Sequence, residues 1–273
     1  MRLMVLSDLH LGHPGWDGFG EKTIARARQL ATEDQIDVLL FNGDICDPSN
    51  EKMSLEFGLR QLLTIPADHY LWVIGNNDIE FVMTNVNDIR KYAEALNKIA
   101  ESMGIKVLDF APVRIDGIGF AGSFGSYDLS LWQPPRVKTD RHPQTFAALS
   151  QEVESWYRKN LGISYVDLFL HCQGQLHRHI EDLKRNVNKL VVTTHVVPSP
   201  KMLLYGESPD YDYQNAWMGW DDEVRTKFPA IHDYPEVIYQ FCGHTHRAEK
   251  ILRPGLAPLI NVSGHAQPLL LEI

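Results

Sequence analysis

Met1-Arg2-Leu3-Met4-Val5-Leu6-Ser7-Asp8-Leu9-His10 opens the chain: an apolar run that ends on a carboxylate and an imidazole two residues apart. The run is too short for a signal peptide and reads as a first core strand. Alternate side chains of an extended segment point the same way, so Asp8 and His10 can reach one point beyond the strand's end. The arrangement recurs. Apolar runs at 38–41, 70–74, 190–193 and 237–242 lead into Gly43-Asp44, Gly75-Asn76-Asn77-Asp78, Thr194-His195 and Gly243-His244-Thr245-His246. Carboxylate, amide and imidazole groups gathered from five strand ends make a site for two divalent cations.

These runs, with another at 106–110, are rich in Val, Ile and Leu and lack clean alternation, as strands covered on both faces do. Helical spacing separates the early ones. Residues 23–35 place Ile24, Ala27, Leu30 and Ala31 on one stripe, and residues 87–103 place Ile89, Tyr92, Ala93, Leu96, Ile99 and Ala100 on another, with Gly104 as its C-cap. Strand alternating with helix predicts a layered α/β domain. Asp116-Gly117 between two apolar runs predicts a hairpin. Short tail strands at 249–252, 258–262 and 268–273 make the second half antiparallel or mixed. The stretch 123–188 breaks the alternation and carries two helical patterns, near 144–160 and 166–190. It reads as a largely helical insertion or cap within a single domain spanning 1–273.

An apolar content of 44% supplies a substantial core, and no apolar run approaches the roughly 20 residues that cross a bilayer. The net charge of −9 argues against general nucleic-acid binding, which calls for a basic face. Three scattered cysteines, Cys46, Cys172 and Cys242, with no CxxC, fit a reducing compartment. A cytoplasmic location is therefore expected.

Taken in order, Ser7-Asp8-Leu9-His10-Leu11-Gly12, Gly43-Asp44, Gly75-Asn76-x-Asp78, Thr194-His195 and Gly243-His244-Thr245-His246 resemble the motifs of the calcineurin-like metallophosphoesterase superfamily. The resemblance spans nearly the whole chain, although 123–188 holds nothing diagnostic. It implies a four-layer αββα sandwich with the metals at the carboxyl ends of the central strands. It also implies that Asp8, His10 and His246 hold one cation, that Asn76, His195 and His244 hold the other, and that Asp44 bridges both. Two cations about 3.5–4 Å apart would bind phosphate oxygens and lower the pKa of a bridging water or hydroxide, so no side-chain nucleophile is needed. Mixed nitrogen and oxygen donors suit Mn, Fe, Zn or Ni without fixing which.

Position 77 departs from that pattern. In much of the superfamily a His stands there, backed by the following acid, and is thought to protonate the leaving oxygen. Asn77 can donate a hydrogen bond but not a proton. Asp78 remains to brace the loop. The expected function is hydrolysis of a phosphomonoester or phosphodiester, small or macromolecular. Asn77 leaves a second reading, a metal-containing binding or regulatory module with weak or no turnover; a nuclease ranks below both.

Other groups carry weaker signals. His13 and His265 lie near motifs. Arg136, Lys138, Arg141 and His142 form a basic cluster that reads as solvated surface. Tyr127, Asp128 and Trp132 either frame a cleft or pack a loop. His171, His177 and His179 share a predicted helix, but residues 177 and 179 do not share a face. Cys46 reads as a packed thiol, and Asp210, Asp212, Asp221 and Asp222 as solvated acids. Substrate choice is expected from 123–188 and from the 196–220 loop.

Overall fold

The computed structural model describes residues 1–83, 88–134, 143–203, 213–222, 227–263 and 267–273. His265, Asp210, Asp212 and the basic cluster at 136–142 lie outside them.

The first half builds one sheet. Strands β1 (Arg2–Leu6), β2 (Val38–Asn42), β3 (His69–Val73) and β4 (Lys106–Val107) run parallel, and β11 (Leu269–Glu272) pairs antiparallel with β1 at the edge. Helices α1 (Phe19–Glu33), α2 (Leu55–Leu62), α3 (Asn76–Glu80) and α4 (Ile89–Ser102) fall between the strands. Tyr92, Leu96 and Ala100 form the buried stripe of α4, and Gly104 follows with φ +77°.

The second half builds a six-stranded mixed sheet in the order β5-β6-β7-β8-β10-β9. Its strands are β5 (Val113–Ile115), β6 (Ile118–Ser123), β7 (Lys189–Thr194), β8 (Val237–Cys242), β9 (Glu249–Ile251) and β10 (Leu259–Asn261). Asp116 and Gly117 turn β5 into β6 with φ of +46° and +79°. Two positive φ values in a two-residue loop match the twist of an antiparallel hairpin. Strands β6 and β7 pair in parallel, which requires a crossover. That crossover carries α5 (Phe146–Leu161) and α6 (Tyr165–Leu183).

Alternation along each strand sorts the core into layers. Leu3, Val5, Val38, Leu40, Leu71 and Val73 meet Phe120, Val191, Phe241 and Ile260 of the second sheet in one cluster. Their outward neighbours Met4, Leu6, Leu39, Phe41, Trp72, Leu190 and Val192 pack with helical residues such as Ile24, Leu59, Leu96, Leu176 and Ile180. Both faces of both sheets are thus covered, giving an αββα sandwich. Each fully buried Leu or Val contributes about 1.5–3 kcal/mol. The α6 pattern ends at Leu183, and Lys189 already starts β7. The 106–110 run keeps only Lys106–Val107 as strand. Among the described residues no helix is long and apolar enough to cross a membrane.

Candidate metal centre

Strands β1, β2 and β3 run side by side, as do β7 and β8, so their exit loops meet at one end of the sandwich. The first loops are zipped together by backbone bonds: Asp8 N–H donates to Gly43 O (3.1 Å) and His10 N–H to Asp44 O (3.1 Å). Gly243 N–H donates to His195 O (2.8 Å) in the other sheet. At Gly75 a Cβ would run into the Asp44 carboxylate, so only glycine lets β3 end this close to β2.

The local backbone is strained where the chemistry is. Asp8, His10, Asp44, His244 and His246 all adopt positive φ, between 41° and 70°. Such conformations cost on the order of 1 kcal/mol or more each, and they persist where the surroundings hold them. Here they turn five side chains toward one place.

Two groups of donors result. Asp8, His10 and His246 form one, and Asp44, His195 and His244 the other, the ligand atoms of each lying within 4.8 Å of one another. Asn76 Oδ1 sits 3.0 Å from His195 Nε2, on the edge of the second group. Asp44 joins them: its Oδ2 is 3.7 Å from His10 Nε2 and 3.4 Å from His195 Nε2. Its Oδ1 accepts the Asn77 N–H at 2.8 Å.

Outer contacts fix the rings. His195 Nδ1 donates to Asn42 O (2.8 Å) and His244 Nε2 to Trp217 O (3.0 Å). A carbonyl only accepts, so each ring carries its proton outward and turns its other lone pair toward the site. Asp8 accepts the His244 N–H with both oxygens, at 3.0 Å each, and the Ser7 hydroxyl as well. Asp78 is fully buried and accepts from the backbone N–H groups of Gly75 (2.8 Å), Asp44 (3.0 Å) and Ile45 (3.0 Å). It ties the β2 and β3 exits together, the bracing role expected of it.

Electrostatics fit a cation site. Burial works to raise the Asp8 carboxyl, but His246, His195 and His10 together hold it well below the carboxylate range. Burial works to lower His195, yet the Asp44 and Asp8 carboxylates push it up to about 10. Without a cation, a second proton on this ring, at Nε2, supplies the positive charge that two buried carboxylates demand; a bound cation would take its place. Burial, with His195 beside it, lowers His244 to about 4. His10 and His246 face each other through Nε2 at 3.0 Å, a separation that a proton or a cation between the two nitrogens accommodates. Carboxylate, amide oxygen and imidazole are donors that first-row divalent ions accept, so these residues fit the group.

The sequence profile of the calcineurin-like phosphoesterases matches residues 1–248. The chain belongs to this family. Among solved structures, the calcineurin-like chain is similar to phosphopantetheinyl hydrolase (PptH) from Mycobacterium tuberculosis. The two share 18% identity with a TM-score of 0.62, covering 96% of this chain and 88% of that one. A dimetal phosphatase from Danio rerio is similar at 13% identity and a TM-score of 0.55, covering 96% of this chain and 86% of that one. At these identities the likeness is one of fold. No curated protein sequence matches the chain significantly.

The calcineurin-like centre opens on one side into a cleft of about 580 Å³, lined by His10, His246 and Asn77 with His13, Trp16, Asp47, Ser49 and Glu80. Trp16 packs edge-to-face on both His10 and His246, with ring centroids 4.6 and 4.7 Å away. His13 Nε2 lies 3.7 Å from Asp47 Oδ2, so His13 belongs to the cleft wall. Asn77 spans the two groups: Asn76 Nδ2 donates to its Oδ1 (2.8 Å), and its Nδ2 meets His10 Nδ1 (3.1 Å). Tyr127 packs beside His244 with centroids 5.9 Å apart, while Asp128 bonds Ser130 and Trp132 packs on Phe146. His177 bonds Tyr234 away from the centre. Burial pushes the Cys46 thiol up to about 12, as suits a packed cysteine. Asp222, expected to be solvated, is instead buried at its side chain and accepts the Ile231 N–H (2.9 Å).

Sequence reasoning missed Trp16, Asp47 and, above all, Asn42. Asn42 Nδ2 donates to Thr194 O and its Oδ1 accepts from Thr193 Oγ1, both at 2.9 Å, joining β2 to β7 across the sandwich. A lone polar residue ending the Val-Leu-Leu-Phe run was the available signal.

Proposed function

We propose that this protein is a dinuclear metal-dependent phosphoesterase, hydrolysing a phosphomonoester or phosphodiester whose leaving group lies in the cleft beside Trp16, His13 and Asn77. The observation that carries the reading is Asp44 Oδ2, which lies within 4 Å of a ring nitrogen from each donor group. One carboxylate set between two such groups suits a pair of cations rather than one. Asp8, His10 and His246 would hold one ion and Asn76, His195 and His244 the other, with Asp44 shared. Divalent ions bound there would supply Lewis acidity toward phosphoryl oxygens and an activated water. The chain's own residues orient and shield. Asn42 and Trp217 fix the tautomers of His195 and His244, Asp78 locks the loops, and Asn77 offers its amide to the cleft.

Without an acid at position 77, leaving oxygens that depart readily as anions should react much faster. Rates with Mn²⁺ across aryl and alkyl phosphate esters test this, plotted against leaving-group pKa. The expected result is a steep negative slope, with Asn77→His accelerating alkyl esters by up to ~10²-fold and barely changing the best aryl esters. The same amide supports a second reading, a metal-containing binding module. Full metal loading with no turnover on any ester would favour that reading over the first.

A further inference from the structure

Away from the metal cleft, a cavity of about 500 Å³ lies between α4 and α6, and none of the residues lining it also lines the cleft. Ile74, Ile79, Leu96, Phe124, Ile163 and Leu168 make its walls apolar. Two cations, Arg90 and Arg178, and two anions, Glu94 and Asp167, also line it, and all four residues are exposed, so the charges of this rim cancel. At the inner end the half-buried Asp109 carboxylate accepts the N–H groups of Ile74 (2.9 Å) and Phe124 (2.5 Å). Size, apolar walls and one inner polar anchor match a small-molecule site.

The walls reach the metal loops. Ile74 precedes Gly75-Asn76, Ile79 follows Asp78, and the Phe124 ring stacks over His195 with centroids 6.3 Å apart and planes 16° apart. Asp109 holds Ile74 and Phe124 together, so one carboxylate joins the ends of β3 and β6. A body that fills the cavity presses on residues that position Asn76 and His195.

We infer that the α4–α6 cavity is a second ligand site, for an uncharged and largely apolar small molecule, and that its occupancy is coupled to the metal centre. The inference goes beyond the proposed hydrolysis, and its binding half stands without it. A balanced rim neither attracts nor repels a net charge, the inner Asp109 carboxylate is already engaged by the N–H groups of Ile74 and Phe124, and the apolar walls reward a body that sheds water. Coupling through the shared loops must be reciprocal in affinity.

The test is titration of the whole protein with uncharged N-phenyl-1-naphthylamine, followed by fluorescence, with and without Mn²⁺ and with metal content measured in the same samples. One saturable site per chain is expected, and its affinity should change by about 5-fold or more on metal loading. Ala93→Trp on α4 and Ile163→Trp on the opposite wall should each weaken binding by at least ~10-fold without lowering the melting temperature. Arg178→Gln should leave it within about twofold. The proposal is overturned by an absence of saturable binding, by full affinity in both folded tryptophan variants, or by tighter binding of the anionic 1-anilinonaphthalene-8-sulfonate at this site. Equal affinity in metal-loaded and metal-free protein overturns the coupling. If no metal loads at all, the hydrolase reading fails, and the tryptophan variants alone decide this site.

Discussion

His195 is fully buried with its Nδ1 locked on the Asn42 carbonyl, whereas His246 leaves 41% of its side chain exposed beside the cleft. The two belong to donor groups of the same composition, one carboxylate and two imidazoles. Each group also draws on both sheets. Surroundings therefore separate them: around Asp44, His195 and His244 the rings are fixed by backbone carbonyls. Around Asp8, His10 and His246, two rings face an open cleft. Fixed, dry donors favour tight and slow exchange, while the open group is where an ester can approach. On this reading the inner site anchors and the outer site meets substrate.

The largest break in that division should come from Asp44→Asn. Removing the shared charge weakens both groups at once, and turnover should fall by ~10³-fold or more. Loss confined to one metal equivalent would mean that Asp44 serves a single site. A smaller effect is expected of Asn42→Ala, which keeps the backbone carbonyl that His195 Nδ1 meets but unties β2 from β7 and so loosens the placement of His195. Metal affinity should drop by ~10–100-fold at the buried group only, read by competition with a chelator. An equal loss at both groups would mean a general loosening of the sandwich instead.

The smallest effect concerns the β3–β6 tie. Burial raises the Asp109 carboxyl to about 6 against the pull of the Ile74 and Phe124 amides. Its folded-state value lies above the unfolded one, so the folded protein holds the proton more tightly. The stability it contributes is complete below about pH 4 and is lost as pH rises through about 6. Metal-free Asp109→Asn should lack this decline, and the two proteins should diverge by up to about 2 kcal/mol between pH 4 and 7. Parallel stability curves would contradict it.

Much of this comparison was legible in the chain itself. The Asp8-x-His10 and His244-x-His246 spacings, each after an apolar run, place their groups at strand ends. Asp116-Gly117 likewise announced its hairpin. What stayed hidden depends on approach through space. Asn42 reads as an ordinary polar residue until β7 arrives beside it, and Asp109 until α6 closes over it. The carbonyl of Trp217 carries no side-chain signal at all. Helix α2 was missed because its eight residues lie between loop residues, too short for a periodic pattern, although Ser54 caps it by accepting the Phe57 N–H. The contrast between the buried and open groups was likewise invisible, since spacing says nothing of depth, and the extended backbone expected at both pairs gives way to left-handed φ at Asp8, His10, His244 and His246.

Metal analysis of the Mn²⁺-reconstituted protein, wild type beside His246→Ala, tests the central claim most directly. Two equivalents per chain are predicted for the wild type. One equivalent, held as tightly as the stronger of those two, is predicted for the variant, because Asp44, His195 and His244 remain intact. Fewer than about one equivalent in the wild type, or two in the variant, would contradict a pair of cations held by these two groups.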